Sequence, residues 1–81
     1  MSDAIFEMDL HGCTVYQAKT AIDAALRRAK SGTYRIRLIH GCHGGTALRD
    51  MIRKDYKKHP KVIRTEFGSN GETDLVLREM Y

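Results

Sequence analysis

Between Ile5 and His11 the chain alternates, with Phe6, Met8 and Leu10 on one side and Glu7, Asp9 and His11 on the other. That is the period of a strand with one buried and one polar face. The pattern then turns helical: Ala18, Ala21, Ile22, Ala25, Leu26 and Ala29 make an apolar stripe at the spacing of one helix face. Thr14 stands at the N-cap, and Gln17 completes a capping box. Arg27, Arg28 and Lys30 suit the negative end of the helix dipole, and Ser31-Gly32 stops the helix. A second strand over 34–39 buries Ile36 and Leu38 and turns Arg35 and Arg37 outward. It runs into a glycine-rich stretch, His40-Gly41-Cys42-His43-Gly44-Gly45.

A second helix, 46–59, buries Leu48, Met51, Ile52 and Tyr56, sets Arg49, Arg53 and Lys57 in line on another face, and is stopped by Pro60. Strands over 62–67 and 73–80, with Leu75 and Leu77 inward, are joined by Gly68-Ser69-Asn70-Gly71, whose Asn-Gly pair favours a hairpin. Arg64, Glu66, Asp74 and Arg78 continue an outward polar set. The order β-α-β-α-β-β with one polar sheet face predicts an α+β two-layer sandwich, both helices covering one face of a mixed four-stranded sheet. Right-handed crossover makes the first two strands parallel neighbours. The loops that leave their carboxyl ends then converge on one crevice, where open sheets bind ligands.

Eighty-one residues, 42% of them hydrophobic, fit one compact domain over 1–81 with a small core. No apolar run reaches signal-peptide or membrane-spanning length, so a cytoplasmic address and no membrane partner are expected. Cys13 and Cys42 each adjoin a His-Gly element, which favours reduced thiols over a disulfide framework. The net charge of +4 favours a polyanionic partner only weakly.

The two His-Gly elements carry the candidate chemistry. His11 has the residue type for proton transfer near neutral pH, and Asp9 can orient it. Asp9 could instead hold a divalent cation such as magnesium, although satisfying backbone groups at a strand end needs neither role. Gly41, Gly44, Gly45 and Thr46 lead into a helix N-terminus, where unpaired amides suit a phosphate, although glycines also serve a plain tight turn. His40 and His43 could donate to a developing phosphorane charge; His40 could equally be structural and His43 simply exposed. Arg49, Arg53 and Lys57, with Arg35, Arg37 and Arg64 on the open sheet face, could neutralise phosphates, or only be solvated. The loop lacks the ending of a nucleotide P-loop and the dinucleotide fingerprint, which excludes ATP and NAD as first choices. His11, Cys13, Cys42 and His43 lack zinc-site spacing.

Over essentially its whole length the chain resembles the small MutS-related (Smr) domain family. Met8-Asp9-Leu10-His11-Gly12 matches the family's Leu-Asp-x-His-Gly, and His40-Gly41-Cys42-His43-Gly44-Gly45-Thr46-Ala47-Leu48-Arg49 matches its His-Gly-x-Gly followed by Gly-x-Leu-Arg. The second match carries one extra residue, since His43 stands before the glycine. The resemblance implies a fold like the C-terminal domain of translation initiation factor three, nucleic-acid binding and, in several members, endonuclease activity on DNA or RNA. It implies a catalytic role for Asp9 and His11, and a substrate-binding loop at His40, Gly41 and Gly44. The leading expectation is an endonuclease. The alternatives are a non-catalytic nucleic-acid-binding module and a protein-interaction module, with a homodimer or protein partner.

Overall fold

Two crossovers and a hairpin order the chain as β1 (Ile5–Asp9), α1 (Val15–Arg28), β2 (Arg35–Ile39), α2 (Ala47–Asp55), β3 (Arg64–Phe67) and β4 (Glu72–Val76). The structure, a computed structural model, describes residues 4–41, 46–68 and 71–79. The sheet order is β1-β2-β4-β3. β1 and β2 run parallel, and β4 is antiparallel to both β2 and β3. The class expected from the periodicity is therefore the class observed.

Paired residues share a sheet face, so the register separates the two layers. The rows Phe6, Ile36, Leu75, Thr65 and Met8, Leu38, Thr73, Phe67 lie on the helix side. Against them pack Ala18, Ile22 and Leu26 of α1 and Met51, Ile52 and the adjoining Tyr56 of α2, with Leu10 and Val62 closing the cluster. Each fully buried aliphatic side chain contributes about 1.5–3 kcal/mol.

α1 begins where the sequence places it. Thr14 Oγ1 accepts from the Gln17 backbone N–H at 3.0 Å, and Gln17 Oε1 accepts from the Thr14 N–H at 2.9 Å. Thr14→Ala removes half of this reciprocal cap and is expected to cost about 1 kcal/mol. A thermal melt should show that loss as roughly 4–8 °C in Tm for a domain of this size.

Several boundaries differ from expectation. β1 ends at Asp9 because Leu10 enters a turn, its carbonyl accepting from Cys13 N–H at 3.0 Å, with Gly12 at φ +82°. α2 ends at Asp55, well before Pro60. Tyr56 closes it, held down by hydrogen bonds from its hydroxyl to Asp23 (2.6 Å) and the Lys19 carbonyl (3.3 Å). The chain then continues in single turns, His59 N–H to Tyr56 and Val62 N–H to His59, as the restriction on a residue before proline requires. β4 ends at Val76, since Leu77 and Arg78 both donate to the one carbonyl of Tyr34.

Phe6 is also not the buried residue its alternation predicts; it is 47% exposed. β1 lies at the sheet edge, and the small side chains Ala21, Ala24 and Ala25 of α1 leave an open groove of 460 Å³ over Phe6 and Met8.

Candidate functional site

The parallel pairing of β1 and β2 sets Asp9 beside Ile39, and Leu10 N–H extends the ladder by donating to the Ile39 carbonyl at 2.8 Å. The two strands therefore release their loops at the same rim. Asp9 Oδ1 accepts the His11 backbone N–H at 3.1 Å and the ring Nδ1 at 2.6 Å. Both side chains remain exposed. The ring hydrogen bond fixes the imidazole with Nδ1 toward Asp9, which turns Nε2 away from it.

The same contact shifts both groups. The hydrogen bond from His11 holds the Asp9 carboxyl below its ordinary value, and the hydrogen bond to Asp9, helped by its charge, raises His11 above 6.5. An NMR titration of the His11 ring should therefore show a midpoint above 6.5, and Asp9→Asn should lower it. An unchanged midpoint in the variant would remove Asp9 as the cause. In stability terms the pair favours the fold between the lowered value of Asp9 and the raised value of His11; its contribution is lost as pH rises through the latter or falls through the former.

Gly41 packs against this pair. It sits at φ +84°, and a Cβ built there would lie 3.7 Å from the Cβ of His11. That is ordinary contact, so the left-handed backbone and not crowding demands glycine. Its amide is already used: the N–H groups of His40 and Gly41 both donate to the Gly71 carbonyl, at 2.8 and 3.1 Å. The phosphate-binding amides expected of this loop therefore do not include that of Gly41.

His40 is buried beneath the rim. Its Nδ1 lies 3.0 Å from the Gly41 carbonyl, which can only accept, so that nitrogen carries the hydrogen; Nε2 lies 2.9 Å from Thr73 Oγ1. Both ring nitrogens are thus bonded within the protein, and His40 anchors the loop. Thr73 had no assigned role in the sequence. Its signal was a polar residue in the inward register beside Leu75.

Cys42, His43, Gly44 and Gly45, three of them expected at the ligand, lie outside the described residues. Beyond them Thr46 precedes α2, its hydroxyl donating to Asp50 at 2.9 Å. Arg49 lies 3.4 Å from the same carboxylate. Arg53, one turn further, lays its guanidinium 3.7 Å from the centroid of the Phe67 ring. Cys13 packs partly buried against the core. Among the described residues no group of three or more His, Cys, Asp or Glu is arranged to hold a metal, and no helix is long and apolar enough to cross a membrane.

The open sheet face corrects one expectation. Arg37 donates two hydrogen bonds to Asp74, at 2.9 and 3.0 Å, and Arg35 bridges Asp74 and Glu66. Arg64 pairs with Glu66 and Glu79. Glu7 and Glu72 flank Arg37. Three guanidinium groups thus share five carboxylates, so this face is not the free cationic surface that its arginines alone suggested.

The site thus combines a parallel two-strand rim and an exposed Asp-His pair. The Smr domain model matches residues 8–74, from the strand that carries Asp9 to the end of the Asp74 network, and the chain belongs to the Smr domain family. Among solved structures, the crystal structure of the Smr domain of Thermus thermophilus MutS2 aligns with a TM-score of 0.80 and 34% sequence identity, over 91% of this chain and 99% of that one. No curated protein matches the chain.

Proposed function

We propose that the chain binds nucleic acid and cleaves its phosphodiester backbone, with His11 moving protons and Asp9 aligning it. The observation that carries this reading is the Asp9–His11 hydrogen bond at 2.6 Å on the rim where Gly41 closes against His11. With Nδ1 bonded to Asp9, the neutral ring presents Nε2 as the base. It takes the proton of the attacking oxygen, a 2′-hydroxyl or a water. That oxygen bonds to phosphorus, the bond to the leaving oxygen breaks with its electron pair, and the leaving oxygen receives a proton.

The N-terminus of α2 supplies partial positive charge for the scissile phosphate. Arg49 and Arg53 extend that field along the helix. A divalent cation, where used, would be held by Asp9 and would stabilise the developing charge. Homodimer formation would bring a second copy of the same rim.

The test is cleavage of labelled single-stranded RNA and of supercoiled DNA by the wild type and by a folded Asp9→Ala, His11→Ala double variant, with and without EDTA. Activity lost in the variant supports the reading, and sensitivity to EDTA assigns the cation. Equal cleavage by both proteins sinks it. Salt-sensitive binding without turnover would leave a nucleic-acid-binding module.

A further inference from the structure

We infer that Phe67, backed by Arg53, is a stacking platform for an unpaired base, which makes single-stranded nucleic acid the substrate class of this site. The inference rests on the nucleic-acid reading above and adds to it a residue and a substrate preference.

Position comes first. β3 is antiparallel to β4, which is antiparallel to β2, so β3 runs in the direction of β1 and β2 and ends at the same rim. Phe67 is the last residue of β3 and shares its register row with Thr73, Leu38 and Met8. Three strand intervals put it about 14 Å across the sheet from β1. That separation places it a few nucleotides along a strand whose scissile phosphate lies at His11. Arg53, which reaches Phe67, lies on α2 one turn beyond Arg49.

Chemistry comes second. Phe67 is a fully apolar ring, yet it is 56% exposed. One face is covered by the Arg53 guanidinium at stacking distance, an arrangement that pins a flexible cation and leaves its charge undiminished. Arg53 has no ion pair among the described residues, and its buried Nε has no hydrogen-bond partner there. The arginines of the open sheet face, by contrast, are neutralised by carboxylates. An anchored, uncompensated guanidinium beside an exposed ring offers one group to a phosphate and one to a base. Duplex bases are already stacked and cannot present a face to the ring, whereas single strands can.

Shielding of an exposed ring by the arginine stem would produce the same contact, so the test removes the π face and keeps the apolar bulk. Binding of a fluorescent single-stranded oligonucleotide and of its duplex is measured by anisotropy for the wild type, Phe67→Leu and Phe67→Trp, each checked for an unchanged thermal melt. The expected result is that Phe67→Leu weakens single-strand binding by about 5- to 100-fold, leaves duplex binding unchanged, and is matched by retained binding in Phe67→Trp. Equal single-strand affinity in the wild type and Phe67→Leu, with salt-sensitive binding intact, overturns the platform alone. No salt-sensitive binding by the wild type to either form overturns the nucleic-acid reading beneath it.

Discussion

With His11 replaced by alanine, cleavage by the folded protein is expected to fall by about 10²- to 10⁴-fold, the range that one positioned proton-transfer group supplies. Affinity should change far less, because the cationic contacts proposed for the nucleic acid are with α2 and not with the imidazole. The two readouts must separate: a variant that loses kcat with KM nearly intact has lost chemistry. Asp9→Asn should be milder in rate and more informative in pH. Asp9 holds the proton on His11 to a higher pH than an ordinary imidazole keeps it. Removing the carboxylate charge therefore moves the limb of the pH–rate profile that His11 sets toward lower pH. The direction is the same whether His11 acts as base or acid, so the limb tests the contact itself. A limb that stays in place in Asp9→Asn would mean that another group sets it.

The second large effect concerns stability. Asp74 is only 4% exposed and accepts from Arg35 and from both ends of the Arg37 guanidinium. Asp74→Asn leaves both cations without their shared carboxylate and is expected to cost about 2–4 kcal/mol. The lower end applies because Arg35 and Arg37 retain 22% and 29% of their side-chain exposure. Against the roughly 5–15 kcal/mol of a typical domain that is a large share. Burial alone would raise the Asp74 pKa, but the hydrogen bonds and charges of Arg37 and Arg35 outweigh it and leave the carboxyl below its ordinary 3.8. The contribution is therefore fully present above 3.8, and is lost as pH falls through the lower folded value. Urea melts of wild type and Asp74→Asn should differ most near neutral pH and converge below 3.8. A constant gap down to that range would assign the loss to packing and not to charge.

Much of the fold was legible because its signals are local. The Thr14–Gln17 cap is formed between residues three apart, and Asp9 and His11 are only two residues apart across the end of β1. The errors share a different origin. Arg35 and Arg37 looked unpaired because their carboxylates arrive from β3 and β4, and nothing in a linear pattern gives the register that brings Asp74 between them. Phe6 was placed inward by alternation, but burial at a sheet edge depends on the bulk of the covering helix, and α1 offers alanines there. The early end of α2 depends on Tyr56 being bound to Asp23, a contact between helices. Asp9–His11 was legible for the same reason as the cap, whereas the His40–Thr73 contact and the Phe67–Arg53 stack need the third dimension.

The bonds that join the second loop to the hairpin also order events in time. Asp9 and His11 are two residues apart, so their contact can form in any chain that makes the local turn. His40 and Thr73 are 33 residues apart, and Gly71 receives the amides of His40 and Gly41 only after the β3–β4 hairpin has docked on β2. Closing such long-range contacts is the slow part of folding. The Asp9–His11 pair can thus exist in a partly folded chain, while the second loop takes its place only once the last strand has docked, so the two halves of the rim assemble at different stages of folding.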